Sequence, residues 1–434
     1  MCRACFQAVK TAIRPPRTRT CGTFRFRLST KGSTMVQDTR ELNRSAVLTT
    51  LLLERPASRK KLATAAGISA ATVTRAVEQL IGENLITETQ EIVSEQRGRR
   101  AVQLDLRADL GIVAGVDLGA SKTRIVIGHI HGTPLAVREL ATPGTLDLPA
   151  LIDWFAGVIL DLSAGFAAPL RQVALGVPGS LEIPEQRISH APNLPQIEGT
   201  EFLAALRTAL PCAVVCDNDA NFALLGELHF GAAAHSPNAA LLSLGFGLGS
   251  ALAMDGRVLR GTRGLVGEFG QLPIGPMGAR LEHLVTGGGI LRQAELAGIA
   301  LESPADLFVS DPAPRIAALR QQFEQGLMVA LTAVSVSCDP DTVVLSGGLS
   351  RALAPELARY QELLGGHLRL APRLELATLD DFSGAVGAMV SALQHCYRDL
   401  GALPEALPRL PHGVHVDRAR LAALKSVEPV VPVG

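Results

Sequence analysis

The stretch "GIVAGVDLGASKTRIVIGHIHG", residues 111–132, passes from one apolar, β-prone segment through a glycine turn into another. Apolar and β-branched residues continue on both sides of the turn, so the pattern predicts a hairpin. No helix follows these glycines. That excludes the dinucleotide-binding fingerprint and the P-loop, both of which open a helix at this point. The texture returns in "LLSLGFGLGSALAMDG", and "DTVVLSGGLS" places Gly347 and Gly348 after a further apolar strand. Two related glycine hairpins predict a duplicated α/β body with a cleft between its halves, where a nucleotide typically sits. In the first turn Asp117 is the carboxylate that can hold Mg²⁺, and Gly119, Ser121 and Lys122 are placed to approach a phosphate.

Ahead of this body the chain has a different character. Residues 1–107 carry 19 Lys and Arg against 9 Asp and Glu, a balance of +10; residues 108–434 carry 22 against 32, a balance of −10. The zero net charge of the whole therefore hides a basic front and an acidic body, and only the front is suited to a polyanion. Within it, Val47, Leu48, Leu51 and Leu52 recur at helical spacing, and "RKKLATAA" predicts a second helix ending at Gly67. Ser69 is the expected cap of a third helix, "AATVTRAVEQLI", with Val73, Ala76, Val77 and Leu80 on its buried side. Ala71, Thr74 and Arg75 face the other way, with Thr72 on the flank. Two helices joined by a glycine turn, the second showing small, hydroxyl and Arg side chains, fit a helix-turn-helix reading double-stranded DNA. The β-prone runs "LITETQEIV" and "AVQLDL" flank "SEQRGRR", which predicts a β-wing with Arg97, Arg99 and Arg100 at its tip.

The first forty residues are Arg-rich, acid-poor and without apolar periodicity. They resemble a transit peptide in composition, but the preferred reading is a disordered basic extension, with Met35 as a candidate start. Seven irregularly spaced cysteines suit a reducing cytoplasm better than a disulfide framework. Cys2 and Cys5 form a C-x-x-C with no second ligand pair at zinc spacing. No apolar run is long enough to span a bilayer as a helix, so no membrane partner is expected.

Between the hairpins, "CAVVCDNDANFALLGELHFGAA" predicts a strand ending at Asn218–Asp219 and a helix from about Ala220. A carboxylate at that strand end suits a general base for a sugar hydroxyl, and equally a helix cap. At this point the motifs carry a resemblance. In order and spacing, "GVPGSLE", "APNLP", "DNDANFALLGE", "LVGEFGQ" and "DPDTVVLSGGLS" resemble the ROK family of repressors, open reading frames and sugar kinases, over about residues 43–397. The winged helix points to its repressor branch, similar to xylose and N-acetylglucosamine repressors. The expected architecture is an α/β chain: a winged helix-turn-helix followed by a duplicated actin-like, sugar-kinase-like ATPase fold. Its boundaries are a disordered extension at 1–40, the winged helix at 41–107, the sugar-binding body at 108–397 and a Pro-rich tail at 398–434.

The resemblance implies that Gly179, Asn193, Asn218, Asp219, Glu268 and Glu282 surround the sugar. It also identifies Gly245 and Gly247 with the family's second phosphate turn, where Phe246 replaces a Thr. The family holds zinc with a His and three Cys in a loop here represented by "GEFGQLPIGPMGARLEHLVTGGGI". In this chain Gln271 replaces the His, Arg280 the last Cys, and no thiolate remains, so zinc is expected to be lost while Gln271 still bonds the sugar. The expected function is a sugar-responsive regulator, a homodimer or homotetramer released from operator DNA by a sugar or sugar phosphate, with no cofactor and no catalytic residue. The alternative is a sugar kinase using ATP and Mg²⁺, with Asp219 as base.

Overall fold

The computed structural model describes residues 32–92, 101–274, 278–309 and 312–425. Contacts divide the chain into two units, Met1–Glu41 and Leu42–Gly434. In the first, residues 32–41 belong to helix α1 (Gly32–Glu54), which therefore starts inside the stretch expected to lack structure. No Pro or Gly interrupts residues 33–54, so a helix once nucleated propagates through them.

In the second unit, α1 continues into β1 (Ala57–Ser58), α2 (Arg59–Ala66), α3 (Ala70–Gly82), β2 (Ile86–Ile92) and β3 (Ala101–Leu106). The strands form an antiparallel sheet in the order β1-β3-β2. Gly67 ends α2 at φ +67 and returns its N–H to the Ala63 carbonyl, as the turn between the two helices requires. Ser69 caps α3 by accepting from Thr72 N. Val47, Leu48, Leu51, Leu52, Leu62, Val73, Val77 and Leu80 make a shared core with Leu104 and Leu106. The expected wing tip, with Arg97, Arg99 and Arg100, lies outside the described residues.

The body consists of two lobes with one plan. The first holds β4 (Ile112–Leu118), β5 (Lys122–His129), β6 (Pro134–Ala141), α4 (Leu148–Ala164), β7 (Leu170–Val177), β8 (Ser180–Glu182), β9 (Arg187–Ser189), α5 (Glu201–Ala209), β10 (Ala213–Asn218) and α6 (Asp219–Phe230). The second holds β11 (Ala239–Leu244), β12 (Leu248–Met254), β13 (Arg257–Val258), α7 (Glu282–Val285), α8 (Gly287–Leu296), α9 (Pro314–Cys338), β14 (Thr342–Ser346), α10 (Ser350–Leu353), α11 (Leu357–His367) and β15 (Arg373–Leu376). Helices α12 (Ser383–Asp399) and α13 (Arg418–Lys425) follow. The sheets run β10-β7-β4-β5-β6 and β13-β12-β11-β14-β15. In each, an antiparallel three-strand meander is extended by two parallel strands. Gly119 and Gly245 start the two hairpin turns, closed by Gly119 N to Lys122 O and Gly245 N to Gly247 O.

Helices α6 and α12 pack backbone to backbone. A Cβ on Gly387 would fall on the Phe222 carbonyl and one on Gly226 would lie 2.4 Å from the Ser383 carbonyl, so only glycine permits this approach. The carboxylate of Glu227, fully buried on α6, accepts from Leu379 N at 3.0 Å, Thr378 N at 3.1 Å and the Ser383 hydroxyl at 2.6 Å. It thereby fastens the entry of α12.

The stretch read as a Pro-rich tail is in part packed structure. Ala402, Leu410, Val416 and Leu421 are buried, Leu403 N donates to Thr49 Oγ1, and Lys425 pairs with Glu139. The prolines stop a helix after α12 but do not prevent burial of the apolar residues between them. Arg44 of α1 donates to the Leu400 carbonyl at 3.0 Å, and Arg55 to the His131 carbonyl, also at 3.0 Å. The three-helix front therefore sits directly on the body.

Candidate functional site

Strand ends and loops of the two lobes line a cleft. From the first lobe, β10 delivers Asp217 and Asn218 to its wall, and Asn221 follows on α6. Asn218 caps α6 by accepting from Ala220 N and Asn221 N, while its amide donates to the Gly179 carbonyl at 2.8 Å. Gly179 adopts φ +95, and a Cβ there would lie 2.4 Å from the Ser189 carbonyl. The cap that starts the helix thus also fixes the turn opposite.

From the second lobe come Glu268 and Arg260. Glu268 accepts from the Ser180 hydroxyl at 3.0 Å and from Gln271 Nε2 at 3.4 Å. Arg260 Nε donates to Asp217 Oδ2 across the two lobes. Asp217 Oδ1 also accepts from Asn218 N and Asn221 Nδ2, both at 2.8 Å.

Asp219 stands next to this wall at the start of α6. Burial raises its pKa to about 7, Asp117 and Glu268 add to the rise, and the Ala220 amide opposes it. Asp117, at the end of β4, is likewise raised by burial to about 6, with Arg124 opposing and Asp381 reinforcing. Each carboxylate is desolvated and faces another, so both hold protons unusually well.

Of the residues expected around a sugar, Asn218 and Glu268 line the cleft and Gly179 supports Asn218. Asp219 is tied to them electrostatically. Gln271 reaches the cleft through its bond to Glu268, and Glu282 lies behind Gly270, whose Cβ would come 3.6 Å from Glu282 Oε2. Asn193 is exposed and absent from the lining. Asp217, Asn221, Ser250 and Arg260 line the cleft without having been singled out in the sequence. Asp217 carried a signal, since it stands in the same "DND"; Arg260 carried none, being one Arg among several in a loop.

The phosphate turns differ in state. Lys122 is drawn to Glu139 at 3.4 Å, and Arg124 pairs with Glu139 at 2.9 Å and Asp117 at 3.9 Å. Ser121 is exposed, and Gly119 donates its N–H to the Lys122 carbonyl. In the second turn, Phe246 is 72% exposed and its ring comes within 3.3 Å of where a Gly288 Cβ would be, over the first turn of α8. Gly245 and Gly247 flank it.

The donors here do not suit zinc. Gln271 is a neutral amide already engaged with Glu268, and a neutral amide is a poor zinc ligand.

On the front, Ala71 and Arg75 of α3 are exposed. The Ser69 and Thr72 hydroxyls share a 2.9 Å bond, and Thr74 donates to the Ala70 carbonyl at 3.0 Å. Those hydroxyls are therefore partly occupied within the helix, while Arg75 is exposed and has no ion-pair partner among the described residues.

Paired sheets of one topology, glycine turns facing a cleft and an Asn-Asp strand end define the class: a duplicated, sugar-kinase-like α/β protein. The chain belongs to the ROK family, whose model matches residues 113–395. A xylose repressor from Caldicellulosiruptor bescii is 28% identical over 243 residues, 54% of this chain and 59% of that repressor. A Streptomyces coelicolor glucokinase is 26% identical over 312 residues, 64% of this chain and 96% of the enzyme. Among solved structures, a ROK family transcriptional regulator described as a homologue of the E. coli MLC protein superposes with TM-score 0.67 at 20% identity, covering 85% of this chain and 100% of its own. A ROK hexokinase from Thermus thermophilus gives TM-score 0.55 at 29% identity, covering 66% and 99%. The chain thus spans little more than half the length of the xylose repressors that it matches.

Proposed function

We propose that this protein is a sugar-responsive transcriptional repressor. Its front is a winged helix-turn-helix that places α3 in the major groove of operator DNA, with Arg75 reading a base edge and Arg97, Arg99 and Arg100 on phosphates. The observation that carries the reading is the helical unit with an exposed Arg75 on α3, docked on a ROK body through Arg44 and Arg55. A sugar held by Asn218, Asp219, Glu268, Gln271 and Glu282 prefers one arrangement of the lobes, and through the docked front it biases DNA release. The working unit is a homodimer on a pseudo-palindromic site, acting in the cytoplasm; no described helix is long and apolar enough to cross a membrane. Zinc is dispensable, because Glu268 is held by Ser180 and Gln271 instead.

A kinase reading draws on one observation, the pKa of about 7 at Asp219, which suits a general base. Phe246 within the second phosphate turn and Arg124 beside Asp117 weigh against it. A paired assay separates the two: operator release by sugar and sugar-dependent ADP production, on wild type and Asp219→Asn. The repressor reading requires specific DNA binding that sugar reverses in wild type and no longer reverses in the variant. ADP production lost in Asp219→Asn, without specific DNA binding, would establish the kinase.

A further inference from the structure

We infer that the Asp217–Arg260 pair makes this cleft selective for an uncharged sugar over one bearing a phosphate or carboxylate; the inference rests on the reading of the cleft as a sugar site. Among the described residues that line the cleft, Asp217, Glu268 and Arg260 carry charge. Arg260 is the one cation of the three, and Asp217 offsets its charge. Its Nε donates to Asp217 Oδ2 and its Nη1 approaches the Val258 carbonyl at 3.4 Å. Asp217 is only 8% exposed and is fixed from its other side by Asn218 N and Asn221 Nδ2, so it cannot follow Arg260 toward a ligand. An anion that drew Arg260 off Asp217 would leave that carboxylate buried without its countercharge.

Among the described residues no cation pairs with Glu268, whose partners are the Ser180 hydroxyl and the Gln271 amide. The wall therefore carries one net negative charge. On β5, Lys122 and Arg124 are both engaged with Glu139, and Arg124 faces Asp117 and Asp381 as well. Asp219 resists ionisation chiefly through burial, with the charges of Asp117 and Glu268 adding to it. A further anion meets the same field, whereas hydroxyl groups donate into it. Neutral sugars are admitted by hydrogen bonds and their phosphates are turned away by charge.

The test uses the full chain and matched probes: glucose with glucose 6-phosphate and glucuronate, and N-acetylglucosamine with its 6-phosphate, read by calorimetric titration and thermal shift. At least one free sugar is expected to bind about tenfold or more tightly than its anionic counterpart. Asp217→Asn keeps the acceptor for Asn218 N and Asn221 and releases the charge of Arg260, so the ratio should fall by about tenfold. Arg260→Gln leaves Asp217 unopposed and should widen it. A merely structural pair would shift both variants in one direction, and Arg260→Gln alone still decides if Asp217→Asn does not fold. Wild type preferring a sugar phosphate, in competition with the free sugar, would overturn the inference and leave the sugar-sensor reading standing. Failure of all probes to bind or to release DNA would count against both.

Discussion

The Ser180 hydroxyl donates to Glu268 Oε1 at 3.0 Å, joining the first lobe to the loop of the second at the edge of the cleft. A carboxylate prepositioned in this way accepts a sugar hydroxyl without first having to be ordered. Glu268→Gln keeps an oxygen for Ser180 and loses the charge. Inducer binding is expected to weaken by about 1–3 kcal/mol, measured by calorimetry, with operator affinity in the absence of sugar retained. Unchanged inducer affinity would remove Glu268 from the site.

The pH dependence of stability gives a second check. Asp219 is raised from 3.8 to about 7, so the folded chain holds this proton more tightly than the unfolded chain over that interval. The stabilisation is complete below the lower value and is lost as pH rises through the upper one. Asp219→Asn abolishes the titration. The melting temperature of wild type minus that of the variant is therefore expected to fall between pH 5 and pH 8. A constant difference would mean that Asp219 is not desolvated.

Glu227 collects donors from Thr378, Leu379 and Ser383 with no exposure of its own. Glu227→Gln turns one acceptor into a donor facing donors. A loss of about 2–3 kcal/mol in unfolding free energy is expected from denaturant titration. A change within error would show that water can replace the carboxylate at the start of α12.

On DNA, Arg75→Ala is expected to cost about 1–3 kcal/mol and to relax preference at one base position in each half-site. Replacing Arg97, Arg99 and Arg100 is expected to flatten the salt dependence without changing the preferred sequence. Footprints with full affinity after both changes would place the DNA contact elsewhere.

Metal removal is expected to change nothing. Chelator-treated protein should keep its melting temperature and its response to sugar, because Gln271 and Glu268 hold one another without an ion. One zinc per chain that survives replacement of Cys2 and Cys5 would contradict this account of the loop.

Much of this was already legible in the linear chain. Alternation and glycine turns at 119 and 245 imply two hairpins, and β4–β5 and β11–β12 are those hairpins, in register to the turn. Val73, Ala76, Val77 and Leu80 form the buried side of α3, because a 3.6-residue period leaves no other face for them. Local signals of this kind, turn chemistry and periodicity, act over a few residues and can be read without knowing the fold. What the sequence could not settle was long-range. Arg260 meets Asp217 and Glu227 meets Ser383 over separations of 43 and 156 positions. Nothing local distinguishes such a charged residue from a solvated one. Asn193, grouped with the cleft by motif, is exposed, while the described Pro-containing stretch up to residue 425 is packed against α1, α12 and β6. The sequence by itself determined the elements, their doubling and the chemical kinds of residue at each strand end. The tertiary structure alone decided which carboxylates lose water and which cations are left over, because burial and charge pairing depend on neighbours that only the folded chain brings together.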